Sequence, residues 1–252
     1  MKDHLKKLLP FLSFASLFVL LSILSPYFLT VSNLSTVARQ TAVINIIAIG
    51  MTLVVIAGGV DLSVGSVLAL CGVCGTLLME NGLAPLPATL MGVLTGATWG
   101  LLTGLVITLF KVPAFIATLG GLGMARGLTL LITDGRPVTG VPQSFARLGD
   151  GNWLGFIPFP VVILVVVALT MAFILRHTQL GRYAYAMGGN AQAAHLSGIN
   201  LTLCSLIFYS TLGGLTGLAG MIEASRLVTG QPTAGEGYEL RAIAAVVPRK
   251  KG

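Results

Sequence analysis

Residues 181–202 read GRYAYAMGGNAQAAHLSGINLT, a polar and small-residue interval between two strongly apolar segments. Arg176, His177 and Arg182 bring positive charge to its front edge. Cationic connections of this kind favour one side of a membrane. We therefore interpret the interval as a polar connection between two membrane spans, and the other spans are assigned relative to it.

The middle of this interval has the pattern of a short capped helix. The glycine pair at 188–189 is predicted to break the preceding structure, and Asn190 is a good N-cap because its side chain accepts an orphan N–H. Residues 191–196 form the helical turns, and Gly198 is expected to supply the left-handed residue that ends them. Asn200 offers a second N-cap for the next apolar run. A short capped helix between two spans suits the docking of a soluble partner.

Composition indicates a membrane protein. The chain has 252 residues, of which 55% are hydrophobic and 9% charged, with a mean hydropathy of +0.92. Soluble domains have about 25% charged residues, so this chain cannot cover a soluble surface. The net charge of +7 is interpreted as a bias of cations towards the inner side of the membrane, and nucleic acid is not expected as a partner.

Apolar runs of spanning length, about 20 residues, recur along the chain. We predict an all-α polytopic membrane protein, since only helices and closed barrels satisfy the backbone in lipid and these runs are too long for barrel strands. The first run follows three lysines and is predicted to be an uncleaved span with a cytoplasmic N-terminus. The seven predicted spans are Leu8–Leu29, Thr41–Ala57, Leu62–Met79, Ala88–Phe110, Ala114–Ile132, Phe159–Leu175 and Leu203–Ala224.

The distribution of cations supports this orientation. Asp and Glu carry little weight in setting topology, so only Lys and Arg are compared. The inner side receives Lys2, Lys6, Lys7, Lys111, Arg176 and Arg182. The outer side receives the smaller set of Arg39, Arg136, Arg147 and Arg226.

Glycines recur at every fourth residue in one predicted span. Gly92, Gly96, Gly100 and Gly104 form a flat groove where another backbone can approach. We favour packing within the chain over a dimer contact. The same spacing occurs at Gly123 and Gly127 and at Gly213 and Gly217.

The sequence GGVDLSVGS at residues 58–66 interrupts apolar sequence on both sides. Two glycines let one helix end, and Asp61 is expected to cap the next. One interpretation is a capped turn near the inner membrane surface; the other is a broken helix that lines a polar path. Arg126 lies within a span and is expected to face the protein interior or a cavity, while Glu223 and Arg226 are spaced to pair.

Several motifs that carry chemistry are absent from the sequence. There is no G-x-x-x-x-G-K-[ST] nucleotide loop, no H-E-x-x-H zinc motif and no serine hydrolase elbow. Cys71 and Cys74 have redox spacing but lie in an apolar run, and we interpret them as packing residues. We therefore predict no catalytic residue, metal or cofactor, and a membrane enzyme is a minor alternative.

Four segments together resemble the ribose-type monosaccharide permease subunits of bacterial ABC importers. The segments are GMTLVVIAGGVDLSVGSVLAL (50–70), VPAFIATLG (112–120), HTQLGRYAYAMGGNAQAAHLSGIN (177–200) and EASRLVTGQPTAGEGYELRAIAAVV (223–247). The resemblance implies one transmembrane permease domain over residues 1–252, with a fold like that of the vitamin B12 importer. It also implies the bacterial inner membrane.

The resemblance implies a set of partners. These are a second permease subunit, a pair of cytoplasmic ABC ATPase subunits and a periplasmic sugar-binding protein, with membrane lipid around the spans. The binding protein is expected on outer loops such as Thr133–Pro158 and Leu227–Tyr238.

Two sets of residues match functional motifs of that family. The first set matches the cytoplasmic loop that contacts the ATPase: Arg182, Gly188, Gly189, Asn190, Ala193, Ala194, Leu196, Ser197 and Gly198. The second set matches a signature near the translocation path: Gly59, Asp61, Ser63, Gly65 and Ser66.

The chain departs from the family pattern at its end. After AIAAVV the family continues with a glycine-rich stretch, whereas residues 248–252 read PRKKG. Residues 242–247 are apolar for only about 9 Å of helix, against a hydrocarbon core of about 30 Å. We expect an eighth span that is begun and not completed, followed by a divergent tail.

From the resemblance, the predicted function is the permease subunit of an ABC importer for a monosaccharide, ribose or a similar sugar. This subunit forms the translocation path and is powered by ATP hydrolysis on a separate subunit. An ion-coupled secondary sugar transporter, with Asp61 or Glu223 as the ion site, is one alternative. A non-functional, truncated remnant of the permease is another. The sequence does not identify the sugar, since related permeases share these motifs.

Overall fold

The computed structural model describes residues 2–246, and side chains from residue 11 onward. The predicted divergent tail, 248–252, lies outside the described residues. The elements in chain order are α1 Lys2–Leu24, α2 Val31–Ile56, α3 Val64–Glu80, α4 Pro85–Leu109, α5 Ala114–Thr133, a 3₁₀ turn Gln143–Phe145, α6 Ala146–Asp150, β1 Asn152–Trp153, β2 Ile157–Pro158, α7 Phe159–His177, α8 Gln179–Leu196, α9 Leu201–Leu227 and α10 Tyr238–Val246.

Five of the described helices are long and apolar enough to cross a membrane: α2, α4, α5, α7 and α9. Two further apolar helical stretches, Phe11–Leu24 and Val64–Glu80, are shorter. The structure thus confirms an all-α polytopic membrane protein. The count of seven spans stays a prediction.

The first two helices differ from the predicted spans. α1 ends at Leu24 and not at Leu29, since Pro26 lacks an N–H and disfavours a helical residue before it. α2 begins at Val31, ten residues before the predicted start. Its first turn is capped by Thr30, whose hydroxyl accepts from the Asn33 N–H at 3.3 Å.

The described residues form two compact units, one up to Ala38 and the other from Arg39 onward. In the smaller unit, the rings of Phe18 and Phe28 meet edge to face with their centroids 5.2 Å apart. The Asn33 side-chain amide donates to the Phe28 carbonyl at 2.8 Å, which fixes the turn before α2.

The larger unit is built on a backbone contact between α4 and α9. A methyl group at Gly96 would lie 2.2 Å from the Gly213 carbonyl oxygen, and one at Gly100 would lie 2.0 Å from that of Tyr209. Reciprocally, a methyl at Gly213 would lie 2.1 Å from the Gly96 oxygen. The two helices therefore touch main chain to main chain, in antiparallel order.

The glycine groove predicted at residues 92–104 is thus confirmed as packing within the chain. The Ser210 hydroxyl adds a hydrogen bond across the contact, donating to the Ala97 carbonyl at 3.0 Å. Gly123 and Gly127 share the spacing, but a methyl group at either position would meet no described atom outside its own helix within 4 Å. Spacing alone therefore did not predict which glycine pattern meets a partner.

Residues 228–237 leave α9 and run back along α3. A methyl at Gly230 would lie 2.0 Å from the Thr76 hydroxyl, and one at Gly235 would lie 2.5 Å from the Gly65 carbonyl oxygen. Residues 232–237 form turns, with the Ala234 N–H bonded to the Gln231 carbonyl at 3.1 Å and the Tyr238 N–H bonded to the Gly235 carbonyl at 3.0 Å. α10 therefore begins beside the start of α3. The expected outer loop Leu227–Tyr238 is in part buried.

Several polar groups of this returning segment, residues 228–237, have partners on other parts of the chain. Val138 and Gly230 form a two-way backbone bridge at 2.9 and 3.0 Å. The Arg126 guanidinium of α5 donates to the carbonyls of Pro232 and Ala234, the latter at 3.0 Å. Irregular backbone within a membrane protein needs such pairing. The expectation that Arg126 faces the protein is confirmed.

The α4–α9 contact generates a stability prediction. Gly96→Ala should lower the free energy of unfolding by about 1–3 kcal/mol, because the added methyl overpacks a backbone contact. Gly214→Ala on α9 is the matched control, since its methyl would lie 3.7 Å from the Ala97 Cβ. The measurement is thermal unfolding in detergent, followed by a thiol-reactive dye as buried Cys71 and Cys204 become exposed. Equal midpoints for both variants would contradict the contact.

Candidate coupling and translocation site

α8 is two helical pieces joined at Asn190. This residue has φ −158° and ψ 100°, inside an otherwise helical run. Its side-chain oxygen accepts from the Ala193 N–H at 2.9 Å, so the predicted N-cap is confirmed. The predicted break at Gly188 and Gly189 is wrong by one or two residues, since helical backbone continues through both glycines.

The end of the short helix also follows the predicted capping pattern. Gly198 has φ +86°, and the Ile199 N–H reaches back to the Ala194 carbonyl at 3.1 Å. Asn200 then caps α9, accepting from the Leu203 N–H at 3.0 Å. The short helix is therefore capped at both ends, by Asn190 at its start and by Gly198 at its end.

The predicted ATPase-contact residues divide between surface and interior. Leu196 is 82% exposed, the highest fraction of any large apolar side chain in the described residues, while Ala194 is 4% exposed and anchors the helix. The Ser197 hydroxyl is turned back onto the Ala193 carbonyl at 3.0 Å. The exposed members of the set are Arg182, Gly188, Gly189, Asn190, Ala193, Leu196, Ser197 and Gly198.

The second set lies at the break between α2 and α3. Gly58 has φ +87°, and the N–H of Gly59 bonds back to the Val54 carbonyl at 2.9 Å, so the glycines end α2 as predicted. Asp61 is only 4% exposed. One of its carboxylate oxygens accepts from both the N–H and the hydroxyl of Ser63, at 2.7 and 2.6 Å.

Asp61 does not cap α3 in the predicted way. The N-cap position is Ser63, and the carboxylate closes a turn two residues long before the helix begins at Val64. Ser63 and Ser66 are 1% and 3% exposed. These side chains are therefore buried within the bundle in this state, and the signature forms a closed polar turn.

Close neighbours of this turn were missed by the sequence reasoning. The Tyr209 hydroxyl of α9 donates to the Val60 carbonyl at 3.3 Å. A methyl at Gly65 would lie 2.3 Å from the Gly235 carbonyl oxygen and 2.5 Å from a Glu239 carboxylate oxygen. The returning segment thus covers the start of α3. No local pattern links these residues, since they lie far apart in sequence.

Gly188 of the first set meets the end of α2, which directly precedes the second set in the chain. A methyl at Gly188 would lie 1.8 Å from the Ile56 carbonyl oxygen, and one at Gly58 would lie 3.8 Å from the Gly188 Cα. A cavity of about 160 Å³ adjoins the contact, with Gly59, Met187 and Tyr209 among its lining residues. The end of α2 and the first piece of α8 are therefore in direct contact.

Other titratable groups are paired or scattered. Glu223 and Arg226 form the predicted pair, with guanidinium-to-carboxylate distances of 2.7 and 3.2 Å. Cys71 and Cys74 are free thiols within the packed bundle. Among the side chains that the structure describes, residues 11–246, no three His, Cys, Asp or Glu come together to hold a metal ion.

These features define a polytopic membrane protein with a capped polar segment in contact with a break between two of its helices. Comparison with known proteins then identifies its family. Residues 33–247 match the family described as "Branched-chain amino acid transport system / permease component", and the chain belongs to this family. It is a transport component of the inner membrane with several spans, and not an enzyme.

Individual relatives confirm the resemblance to ribose-type permeases. The chain is 46% identical to the ribose import permease RbsC of Escherichia coli K12 over 235 residues, 92% of this chain and 73% of that protein. It is 45% identical to RbsC of Bacillus subtilis 168, over 96% of this chain and 76% of that protein. The D-allose permease AlsC of E. coli K12 is 38% identical, over 89% and 69%. No solved structure matches.

The Asp61 turn generates a second prediction. Asp61→Ala should destabilise the protein by about 1–3 kcal/mol, because it leaves the buried Ser63 N–H without an acceptor. Asp61→Asn keeps an acceptor oxygen and should lose less. Hydrogen exchange of residues 61–66 in detergent is the measurement. Equal protection in the wild type and Asp61→Ala would show that the turn does not depend on this carboxylate.

Proposed function

We propose that this chain is the permease subunit of an ATP-driven importer for a monosaccharide, ribose or a similar sugar. The observation that carries the proposal is 46% identity to a ribose import permease over 92% of the chain. The pattern of buried polar turn and exposed capped segment suits the same role. ATP hydrolysis belongs to a separate subunit in this proposal.

We further propose that residues 190–198 are the contact with that ATPase. A helix with both ends capped keeps its shape without a partner, so little ordering entropy is lost on binding. Leu196 offers an apolar side chain that is 82% exposed, next to the small residues Ala193 and Ser197. An exposed apolar residue among small ones fits a shallow pocket on a soluble protein. Arg182, Gly188 and Gly189 belong to the first piece of α8, which carries this helix.

The orientation follows from the same assignment. The ATPase is cytoplasmic, so α8 lies on the inner side, and the N-terminus is cytoplasmic with seven spans in a fold like that of the vitamin B12 importer. The excess of Lys and Arg on that side supports the orientation. The single transmembrane domain over residues 1–252 is part of the same proposal.

The remaining partners are a second permease subunit and a periplasmic sugar-binding protein. The loop between α5 and α7 is the proposed contact for the binding protein. There Arg39 holds the loop, with its guanidinium 3.5 Å from the Asp150 carboxylate and 2.8 Å from the Asn152 side-chain oxygen. A loop held in place by such contacts is a preorganised docking surface.

The translocation path is proposed to pass the α2–α3 break. Asp61, Ser63 and Ser66 supply a carboxylate and two hydroxyls, groups that hydrogen-bond to sugar hydroxyls. All three are buried, so the path must open for them to meet a substrate. Gly59 and Gly65 flank them where other groups approach closely.

An ion-coupled carrier is the competing candidate. Its two carboxylates are already engaged, because Asp61 accepts two hydrogen bonds from Ser63 and Glu223 accepts two from Arg226. Both named ion sites thus have hydrogen-bond partners in this structure, and the uptake experiment below separates the two candidates.

The function is tested by uptake of radiolabelled ribose into proteoliposomes containing the chain with the ATPase of a ribose importer. The ribose-binding protein is added on the substrate side. We expect uptake that requires ATP on the ATPase side and that a protonophore leaves unchanged. Uptake that needs no ATPase and collapses with the protonophore would support the ion-coupled carrier. No uptake at all would contradict the proposal and favour a non-functional remnant.

The docking contact is tested by Leu196→Glu. An unpaired charge in an apolar contact should weaken co-purification of the ATPase by at least about tenfold, or about 1.4 kcal/mol. Leu83→Glu, in the connection between α3 and α4, is the control and should retain the ATPase. Thermal midpoints of both variants should match the wild type. Full ATPase retention by Leu196→Glu would contradict the docking assignment.

A further inference from the structure

We propose that Gly188 is a positioning residue, through which the ATPase-contact segment moves the α2–α3 break and its Asp61 turn. The inference starts from one backbone contact. A methyl at Gly188 would lie 1.8 Å from the Ile56 carbonyl oxygen, 3.0 Å from its carbonyl carbon and 3.5 Å from that of Ala57. The main chain of α8 therefore rests directly on the last turn of α2.

This contact has the stiffness that force transmission needs. Backbone against backbone leaves no side chain to rotate, so a displacement of α8 reaches α2 without being absorbed by rotamer changes. Gly58 lies on the same contact, with a built Cβ 3.8 Å from the Gly188 Cα. We call this contact, formed by Gly188 with Ile56, Ala57 and Gly58, the α8 seat.

From the seat, the chain leads to Asp61 in three residues. The N–H groups of Gly58 and Gly59 bond back to Val55 and Val54 at 3.0 and 2.9 Å, so the glycines follow the last turn of α2. Val60 is held to α9 by the Tyr209 hydroxyl at 3.3 Å. A displacement of Ile56 must therefore change the backbone conformation between Gly59 and the Asp61 turn.

The structure also provides space for such a movement. The cavity of about 160 Å³ beside the seat is lined by Gly58, Gly59, Met187, Phe208 and Tyr209, among others. It lies between the end of α2, α8 and α9. A void at this place lets the glycines change conformation without displacing packed side chains. The end of α2 therefore has backbone contact with α8 on one side and the cavity on the other.

The glycine pair in α8 offers a matched comparison. A methyl group at the neighbouring Gly189 would meet no described atom outside its own helix within 4 Å. A methyl group at Gly188 would lie 1.8 Å from the backbone of α2. Gly188→Ala and Gly189→Ala therefore make the same chemical change in one helix. Only the first must move α8 away from α2, because 1.8 Å lies far inside van der Waals contact distance.

The first experiment uses the purified chain in detergent and does not rest on the proposed function. Hydrogen exchange is measured for the amides of residues 57–63. We expect Gly188→Ala to speed exchange of Gly58 and Gly59 by roughly tenfold or more, since it loosens a local structural unit. Gly189→Ala should exchange like the wild type. Equal exchange rates in the wild type and both variants would contradict the contact between Gly188 and the end of α2.

The second experiment rests on the proposed function and uses the reconstituted importer described above. The readout is ribose taken up per ATP hydrolysed. Gly188→Ala should lower this ratio roughly tenfold, within the usual range of coupling between linked sites, while the ATPase still co-purifies. Gly214→Ala is the control. A variant that only reduced the amount of folded protein would lower uptake and hydrolysis together, and an unchanged ratio would overturn the inference.

A second variant covers the case in which Gly188→Ala does not fold. Met187→Trp fills the cavity beside the seat without a backbone clash at Gly188, and it should also lower uptake per ATP. An unchanged ratio with this variant would overturn the role of the cavity in transmission. A wild-type importer that takes up no ribose would count against the proposed function, and the exchange experiment would still decide the seat.

Discussion

In lipid, two helices gain nothing from hiding apolar side chains from each other, because the surrounding acyl chains are equally apolar. Close van der Waals contact must hold them together, and here it is made by the main chains of α4 and α9. The same condition extends to α3, where a methyl at Gly220 would lie 2.4 Å from the Leu68 carbonyl oxygen. Glycine on at least one side of each contact allows this approach. The three helices form a closely packed group, against which α5, α6 and α8 also pack.

The irregular parts of the chain lie against this closely packed group. The α2–α3 break and the returning segment both place non-helical backbone beside α3, where unpaired polar groups are costly. Each is supplied with partners from distant parts of the chain: Tyr209 bonds to Val60, and Arg126 bonds to the returning segment. Charged and polar side chains within the bundle thus first serve the backbone. Hydrogen bonding to the backbone thus accounts for Asp61 and Arg126 in such an apolar chain.

Sequence reasoning predicted features whose cause is local. Asn190, Gly198 and Asn200 act as expected because capping depends on neighbours three or four residues away. The predicted helix break at Gly188 and Gly189 was wrong, because glycine permits a break without requiring one. In the structure both glycines are helical, and Gly188 packs against α2. The start of α2 was missed because its first ten residues, 31–40, are too polar to be recognised by hydropathy.

The features that sequence reasoning could not reach depend on contacts between distant residues. Regular spacing identified the groove at residues 92–104 but not its partner, and the same spacing at Gly123 and Gly127 meets nothing in the described chain. The returning segment reads as an ordinary loop, since Thr76, Gly65 and Arg126 lie about 100 or more residues earlier in the printed sequence. The meeting of Gly188 with Ile56 is hidden for the same reason.

The returning segment also bears on how the protein is made. Its partners on α3 and α5 leave the ribosome before it does and enter the bilayer first. A stretch that reads as a loop therefore finds a finished groove already lined with a hydroxyl and a guanidinium. It can fold back into that groove as soon as α9 has been inserted, because the groups that pair with its carbonyls are already in place. The order of synthesis and the direction of the fold thus agree.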